Sequence, residues 1–300
     1  MKVAAIGIGS NSVRMIVAQV GDGRATLVRR DRAGTRLFAG LDAQRRLSRQ
    51  AMDTTAAVVR EMAASAREEG AQEVRLFATS ATRDAANKGD FARQLLDEAG
   101  LTLEICSGEE EAALSFLGAT GEGYCGVVDI GGGSTEIVMG EESDIRCGFS
   151  CQMGAVRLSS RIPISSHSDV QPVVDLATSI LEEKLREHPT LTLPDQWRGT
   201  GGTFTTLAAM LRGVHWTDRT YMHGTVLPLE EIERRAWQLA DMTVQERKLI
   251  PGLQPNRADI IVHGICILLA VMKRLGIREI TVSEQGNLDG YIRAKYSVRW

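Results

Sequence analysis

The sequence predicts an α/β fold in two domains, and three observations carry the prediction. Residues 2–30 read as strand, turn, strand, turn, strand, with Gly9–Ser12 and Gly21–Gly23 as the turns. The same pattern restarts in GYCGVVDIGGGSTEIVMGEESDIRCGFS, beginning at Gly123. The segments after each hairpin run alternate helices with short apolar strands.

In order, strands are expected at 2–8, 13–20 and 24–30. SRQAMDTTAAVVREMAASAREE (48–69) places apolar residues at helical spacing and stops at Gly70. VRLFAT (74–79) is a strand, NKGDFARQLLDEAG a helix ending on Gly100, LTLEIC a strand and EEEAALSFLGAT a helix, so the first 120 residues read βββαβαβα. After the second run of strands, helices are expected around 169–187, 202–212, 229–241 and 256–275, then a strand at 278–283 and a last helix from about 286. The Gly-rich TGEG near 120–123 suits a hinge. The domains are therefore set at 1–121 and 122–300, with the last helix free to pack back on the first domain.

Composition narrows the function classes. Of the 300 residues 43% are hydrophobic and 24% charged, an ordinary globular balance. A formal net charge of −3 argues against bulk binding to nucleic acid or membrane, while leaving room for a local basic pocket. Apolar runs such as IIVHGICILLAVM are too short to span a bilayer, and the chain starts in a strand without a signal-peptide pattern. Five cysteines without a CxxC pair point to reduced thiols and a cytoplasmic location. Cys147 and Cys151 lack a neighbouring His and do not make a zinc pattern.

The internal repeat locates the chemistry. IGIGSNSVRMIV (6–17) aligns with VDIGGGSTEIVM (128–139) at an offset of 122, which sets Gly9 on Gly131, Ser12 on Ser134, Arg14 on Glu136 and Gly7 on Asp129. Glycines let a backbone approach a phosphate closely. Successive N–H groups then form an anion nest, and Ser/Thr hydroxyls add donors. A carboxylate beside such a nest makes sense as a ligand for a Mg2+ ion that bridges to phosphate oxygens. WRGTGGTFTTLAAM (197–210) adds a strand, a Gly/Thr turn and a helix whose N-terminus would face an anion; a plain capped helix is the alternative. Glu109, Glu110 and Glu111 open another helix behind Ser107, where acids complement a helix N-terminus. His167, His188, His215, His223 and His263 form no motif, and His263 within VHGICILL reads as a packed residue.

Taken together, IGSNSVR, FATSATRDAAN, SGEEEA, DIGGGSTE, MGAVRLS, GTGGT and PGLQPNRADII resemble, in that order, the exopolyphosphatase / guanosine pentaphosphate phosphohydrolase (Ppx/GppA) family over about residues 1–290. The resemblance implies two ribonuclease-H-like domains of the actin, sugar-kinase and heat-shock ATPase superfamily facing a central cleft, in the short, two-domain form. It implies release of terminal orthophosphate from polyphosphate or guanosine pentaphosphate by water attack assisted by Mg2+, with Mn2+ as the substitute metal and room for a monovalent cation. A homodimer is compatible with it.

By the same resemblance Glu111 is the catalytic carboxylate, and Asp129 and Glu136 organise metal and water. Phosphate would be cradled by Gly131, Gly132, Gly133, Ser134 and Thr135, by Gly9, Ser10, Asn11 and Ser12, and by Gly201, Gly202 and Thr203. Arg14, Arg83 and Arg257 would supply the cations, since Arg suits bidentate phosphate contacts; a salt bridge is the alternative for each.

Two positions depart from the family pattern. The first hairpin of the family reads D-x-G-[ST]-N-S, and here Gly7 stands in place of the acid. Leu288, in Gly286-Asn287-Leu288-Asp289-Gly290, stands where the family's G-L-R-E-G has Arg. Losing an outer metal carboxylate costs ~10–100-fold in metal affinity or activity, and water filling the space left by Gly7 would offset part of that. Two other readings follow: a catalytically weakened protein that binds polyphosphate or guanosine tetra- or pentaphosphate and regulates, and a kinase of the same superfamily.

Overall fold

Both strand runs form, and they form the same way. The computed structural model describes Met1–Trp300. In its first part β1 (Lys2–Ile8), β2 (Ser12–Gly21) and β3 (Arg24–Gly34) are followed by α1 (Arg49–Glu68), β4 (Glu73–Ala78), α2 (Ser80–Arg83), α3 (Lys88–Ala99), β5 (Leu103–Ile105) and α4 (Gly108–Ala119). Then come β6 (Tyr124–Ile130), β7 (Thr135–Glu141), β8 (Asp144–Cys151), α5 (Ala155–Ser159), α6 (Val170–Arg186), β9 (Gln196–Thr200) and α7 (Gly202–Arg212). The chain ends with β10 (Val226–Pro228), α8 (Leu229–Ala240), α9 (Val244–Lys248), α10 (Ile261–Leu275), β11 (Glu279–Val282) and α11 (Asn287–Tyr296).

Two sheets result, in the orders β3-β2-β1-β4-β5 and β10-β11-β9-β6-β7-β8. In each, three strands form an antiparallel meander and the next strands join the first one in parallel. This ribonuclease-H-like order occurs twice, the second sheet adding β10 antiparallel at its edge. Residues 1–118 and 287–300 make one compact unit, and 119–286 the other. The C-terminal helix α11 thus packs back into the first unit, a placement the sequence left open while the boundary at 121/122 counts it with the second domain.

In unit 1 the central strands are buried on both faces, as parallel-type strands require cover on each side. Ala4, Ile6, Ile8, Met15 and Val17 face α1, whose Met52, Ala56, Val59, Met62 and Ala66 recur at helical spacing. Val3, Ala5, Ile16, Ala18 and Phe77 face the other way, and Leu288, Tyr291 and Ile292 of α11 cover them. Ser48 caps α1, its Oγ accepting from the Ala51 amide at 3.3 Å. Gly100, at φ +67°, ends α3.

In unit 2 one core joins the inner face of β6 and β7 to α6, α7, α8 and α10. The helix α10 is apolar on all sides and buried nearly throughout, which suits a central packing element. It is shorter than the 256–275 expected. Pro255–Arg257 is a separate tight turn, with Arg257 N donating to Gln254 O at 2.8 Å and Ile260 N to Arg257 O at 3.0 Å. Bonds spaced three residues apart wind the chain more tightly than an α-helix. Arg247, buried, braces this turn: it donates to Leu239 O (2.7 Å) and Ala240 O (3.4 Å) at the end of α8 and to Ala258 O (3.2 Å). No helix is long and apolar enough to cross a membrane.

Candidate active site

The sequence-predicted residues gather at the C-terminal ends of the parallel strands, where open α/β sheets bind their ligands. In unit 1 residues 9–12 follow β1, 80–83 follow β4 and 107–111 follow β5. In unit 2 residues 131–135 follow β6 and 201–203 follow β9.

The two loops of the repeat have the same local geometry. Gly9 N donates to Ser12 O at 3.0 Å, and Gly131 N to Ser134 O at 3.0 Å. A Cβ on Gly9 would lie 3.2 Å from Ser12 O, and one on Gly131 would lie 3.0 Å from Ser134 O, so both turns are tight enough to favour glycine. In each, the loop carbonyls are taken up by a neighbouring segment. Ser10 O accepts from Phe38 N (2.9 Å), and Asn11 O from Thr35 N (3.2 Å) and Arg36 N (3.1 Å). Gly131 O accepts from Ala155 N (3.0 Å), and Gly132 O from Val156 N (2.9 Å) and Arg157 N (3.0 Å). Turning the acceptors into the protein removes the groups that would repel a phosphate.

In unit 1, Ser10, Asn11 and Ser12 are buried. Ser10 Oγ lies 3.4 Å from Ser80 Oγ, which connects the loop to α2. Three residues on, Arg83 donates from Nη1 to Glu111 Oε2 at 2.8 Å and to Cys106 O at 3.1 Å. The three glutamates separate by role. Glu110 closes a capping box: its Oε2 accepts from Ser107 N at 2.7 Å while Ser107 Oγ accepts from Glu110 N at 3.0 Å. Glu109 is exposed, and Glu111 alone is buried, 5% exposed and paired with Arg83. Arg14 donates to Asn287 Oδ1 at 2.9 Å at the start of α11.

The departures at Gly7 and Leu288 belong to one apolar cluster. A Cβ on Gly7 would lie 3.0 Å from Phe77 Cζ. That ring stacks on Tyr291 (centroids 4.6 Å apart, planes at 8°), and Leu288 joins the same buried group. An aromatic ring therefore fills the space beside Gly7, and the expectation that water would fill it is corrected.

In unit 2, Asp129 on β6 stands directly opposite Glu136 on β7, and both are buried. Glu136 Oε1 accepts from Ser150 Oγ at 2.7 Å. Gly201, at φ +97°, brings the loop after β9 against Asp129: a Cβ there would lie 2.8 Å from Asp129 Oδ1. The place of a Cβ on Gly202 is taken by the Arg257 guanidinium, itself braced by Gln254 Oε1 at 3.3 Å. Arg257 is thus seated at the positive end of α7, and the two together favour an anion. Two predicted phosphate residues have side chains engaged within the protein. Thr135 Oγ1 donates to Met153 O at 2.5 Å, and Thr203 lies buried against Gly264 of α10. Their contribution to a ligand falls to the backbone.

The donor set suits magnesium held jointly with substrate. Mg2+ takes one or two carboxylates and completes its shell with water and phosphate oxygens. Asp129 and Glu136, opposed beside a glycine loop, would supply such a pair, and no group of three or more metal-ligating side chains builds an all-protein cage.

Several contacts were not read from sequence. Arg32 donates from Nε to Ser12 Oγ at 3.3 Å, and Arg157 from Nε to Gly133 O at 2.5 Å. Ser80 and Ser150 likewise touch predicted residues. The signal for Arg32 was its alternation with Arg30 on the third strand, which sets both on one face.

The histidines lie in ordinary structural settings. His167 pairs with Asp241 at 2.9 Å, His188 stacks on Phe149, His215 bonds Thr217, and His223 accepts from Glu284 N at 3.3 Å. His263 is buried, and its Nε2 donates to Ile162 O at 2.8 Å, which fixes the tautomer. Burial, followed by the Ile162 contact that opposes it and by the charge of Arg247, leaves the imidazole pKa below its usual value. The unfolded chain then takes up a proton first as pH falls. Stability from neutral His263 is present above the ordinary histidine pKa and is lost as pH falls through it towards the lowered value. The urea midpoint of His263→Gln should therefore fall less between pH 7 and pH 5 than that of the wild type; equal falls would contradict this.

Comparison with known proteins agrees with this geometry. The Ppx/GppA phosphatase family matches residues 16–296. Exopolyphosphatase 2 of Mycobacterium tuberculosis is 36% identical over 313 aligned positions, covering 96% of this chain and 97% of that protein. A guanosine-5'-triphosphate,3'-diphosphate pyrophosphatase of Aeromonas hydrophila is 30% identical over 96% of this chain, which spans 58% of that longer protein. Among solved structures, an exopolyphosphatase-like protein superposes with a TM-score of 0.88 at 28% identity, covering 99% of both chains. The Aquifex aeolicus PPX-GPPA enzyme superposes with a TM-score of 0.82 at 29% identity, covering 98% of this chain and 99% of that one. With matched loops, a matched fold and a family match over most of its length, the chain belongs to the Ppx/GppA phosphatase family.

Proposed function

We propose that this hydrolase releases terminal orthophosphate from inorganic polyphosphate or from guanosine pentaphosphate. The observation that carries the reading is Glu111. It is a buried carboxylate fixed by Arg83 at the strand ends where the Gly-Ser-Asn loop of unit 1 also lies. Arg83 holds Oε2 and so fixes the carboxylate that would take the proton of an attacking water. The water oxygen bonds to the terminal phosphorus as the bridging P–O bond breaks; the terminal phosphoryl group leaves as orthophosphate, and the shortened chain departs with the bridging oxygen. Within unit 1 the amide groups of residues 9–12 with Arg14, and within unit 2 those of residues 131–135 with Arg257, would each hold phosphoryl oxygens. Mg2+ held by Asp129 and Glu136 would neutralise phosphate charge.

Both relatives named above favour a phosphoanhydride substrate, and the M. tuberculosis exopolyphosphatase 2, which matches end to end, favours polyphosphate. The ring beside Gly7 supports the second reading, a binding protein of weakened activity. The test is phosphate release from long polyphosphate, short polyphosphate and guanosine pentaphosphate, side by side with Mg2+. The expected result is release from at least one, with polyphosphate fastest. Binding of these compounds without release from any would replace the hydrolase by the binding protein.

A further inference from the structure

The two units carry the same row of residues across their strands, with opposite charge. In unit 2, Thr200, Asp129, Glu136 and Ser150 stand side by side on β9, β6, β7 and β8. In unit 1, the same row reads Phe77, Gly7, Arg14 and Arg32 on β4, β1, β2 and β3. Two carboxylates in one row are replaced by two guanidinium groups in the other. The neighbours differ as well: Thr200 stands beside Asp129, whereas the Phe77 ring closes the space at Gly7.

From this we infer that the unit 1 hairpin is an oxyanion site that works without a metal ion, in which Arg32 joins Arg14 in holding a phosphoryl group directly. The row offers no carboxylate to a cation. Arg14 and Arg32 are directly opposed across β2 and β3, which brings two guanidinium groups within reach of one oxyanion. Each is held by a fixed oxygen, Arg14 by Asn287 Oδ1 and Arg32 by Ser12 Oγ, the latter within the loop itself. At the loop, Asn11 is 6% exposed and its Oδ1 has no hydrogen-bond partner. Rotating that amide puts its NH2 donors in the same place, which suits an oxyanion. The metal-dependent part of the chemistry then resides in unit 2. This inference rests on the proposed phosphoanhydride substrate for the nature of the anion.

The experiment is calorimetric titration of inorganic tripolyphosphate into the full-length protein in EDTA, with phosphate release in Mg2+ measured in parallel. Arg32→Gln should bind at least about 10-fold more weakly than wild type, as expected for loss of a charge-assisted phosphate contact. Arg32→Lys should recover part of the loss, and Arg32→Gln should raise KM more than it changes kcat. Gly7→Asn and Gly7→Asp press on Phe77 alike, being nearly isosteric, so their difference isolates charge; Gly7→Asp should bind more weakly than Gly7→Asn. Equal binding by wild type and Arg32→Gln, or by the two Gly7 variants, overturns the inference. If the Arg32 variants do not fold, as judged by thermal melting, the Gly7 pair still decides. Metal-free binding lost in these variants without phosphate release by wild type would uphold the site and overturn the hydrolase reading. Release by wild type with unchanged binding in the variants would do the reverse.

Discussion

Glu111→Gln should lower kcat for phosphate release by roughly 10²–10⁴-fold, the usual contribution of a positioned general base. The substitution keeps the shape of the side chain and an oxygen for Arg83, while removing the basicity that a proton acceptor needs. Substrate binding should change less than kcat, because Gln retains an oxygen that keeps Arg83 in place. The neighbouring glutamate is the control. Glu110→Gln removes only the charge of a capping box, so its effect should be confined to about 1 kcal/mol of stability, the worth of a helix cap. The measurement is initial-rate phosphate release with thermal melting of both variants. A Glu111→Gln rate within a few-fold of wild type, with Glu110→Gln equally affected, would return all three glutamates to a capping role.

That contrast also marks how far the sequence could be read. The duplicated hairpins were legible because glycine spacing and apolar alternation are local, and the helix ends were legible where Gly100 or Ser48 stands at a cap. Among Glu109, Glu110 and Glu111 the residues alone left capping and catalysis open. What sets Glu111 apart is a contact: Arg83, far away in the chain, arrives from the end of β4. Arg32 and Phe77 escaped for the same reason. Each acquires its meaning from strand register, Arg32 opposite Arg14 and Phe77 opposite Gly7, and register is a property of pairing that a linear string does not state. The helix expected from residue 256 began later because apolar periodicity does not distinguish a tight turn at Pro255 from the first turn of a helix.

Asp129→Asn should lower kcat in Mg2+ by about 10²-fold or more, since Lewis-acid stabilisation is worth several kcal/mol and each 1.36 kcal/mol is tenfold. The change is nearly isosteric, so the contact of Asp129 with the Gly201 loop is retained in shape. What is lost is one of two buried, directly opposed carboxylates, leaving Glu136 with its Ser150 hydrogen bond. One carboxylate attracts a divalent ion less than two. The Mg2+ concentration for half-maximal rate should therefore rise by about 10-fold, as for loss of a metal-site partner. A second readout is independent of turnover. An ion that binds only the folded protein raises its melting temperature by mass action, so the Mg2+-dependent rise in Tm seen for wild type should shrink in Asp129→Asn. In Gly7→Ala the same rise should persist, because the corresponding place in unit 1 holds a phenyl ring in place of a ligand. An unchanged Mg2+ profile in Asp129→Asn, by rate and by melting, would remove the metal from unit 2, and with it the division between a metal-holding row and an arginine row.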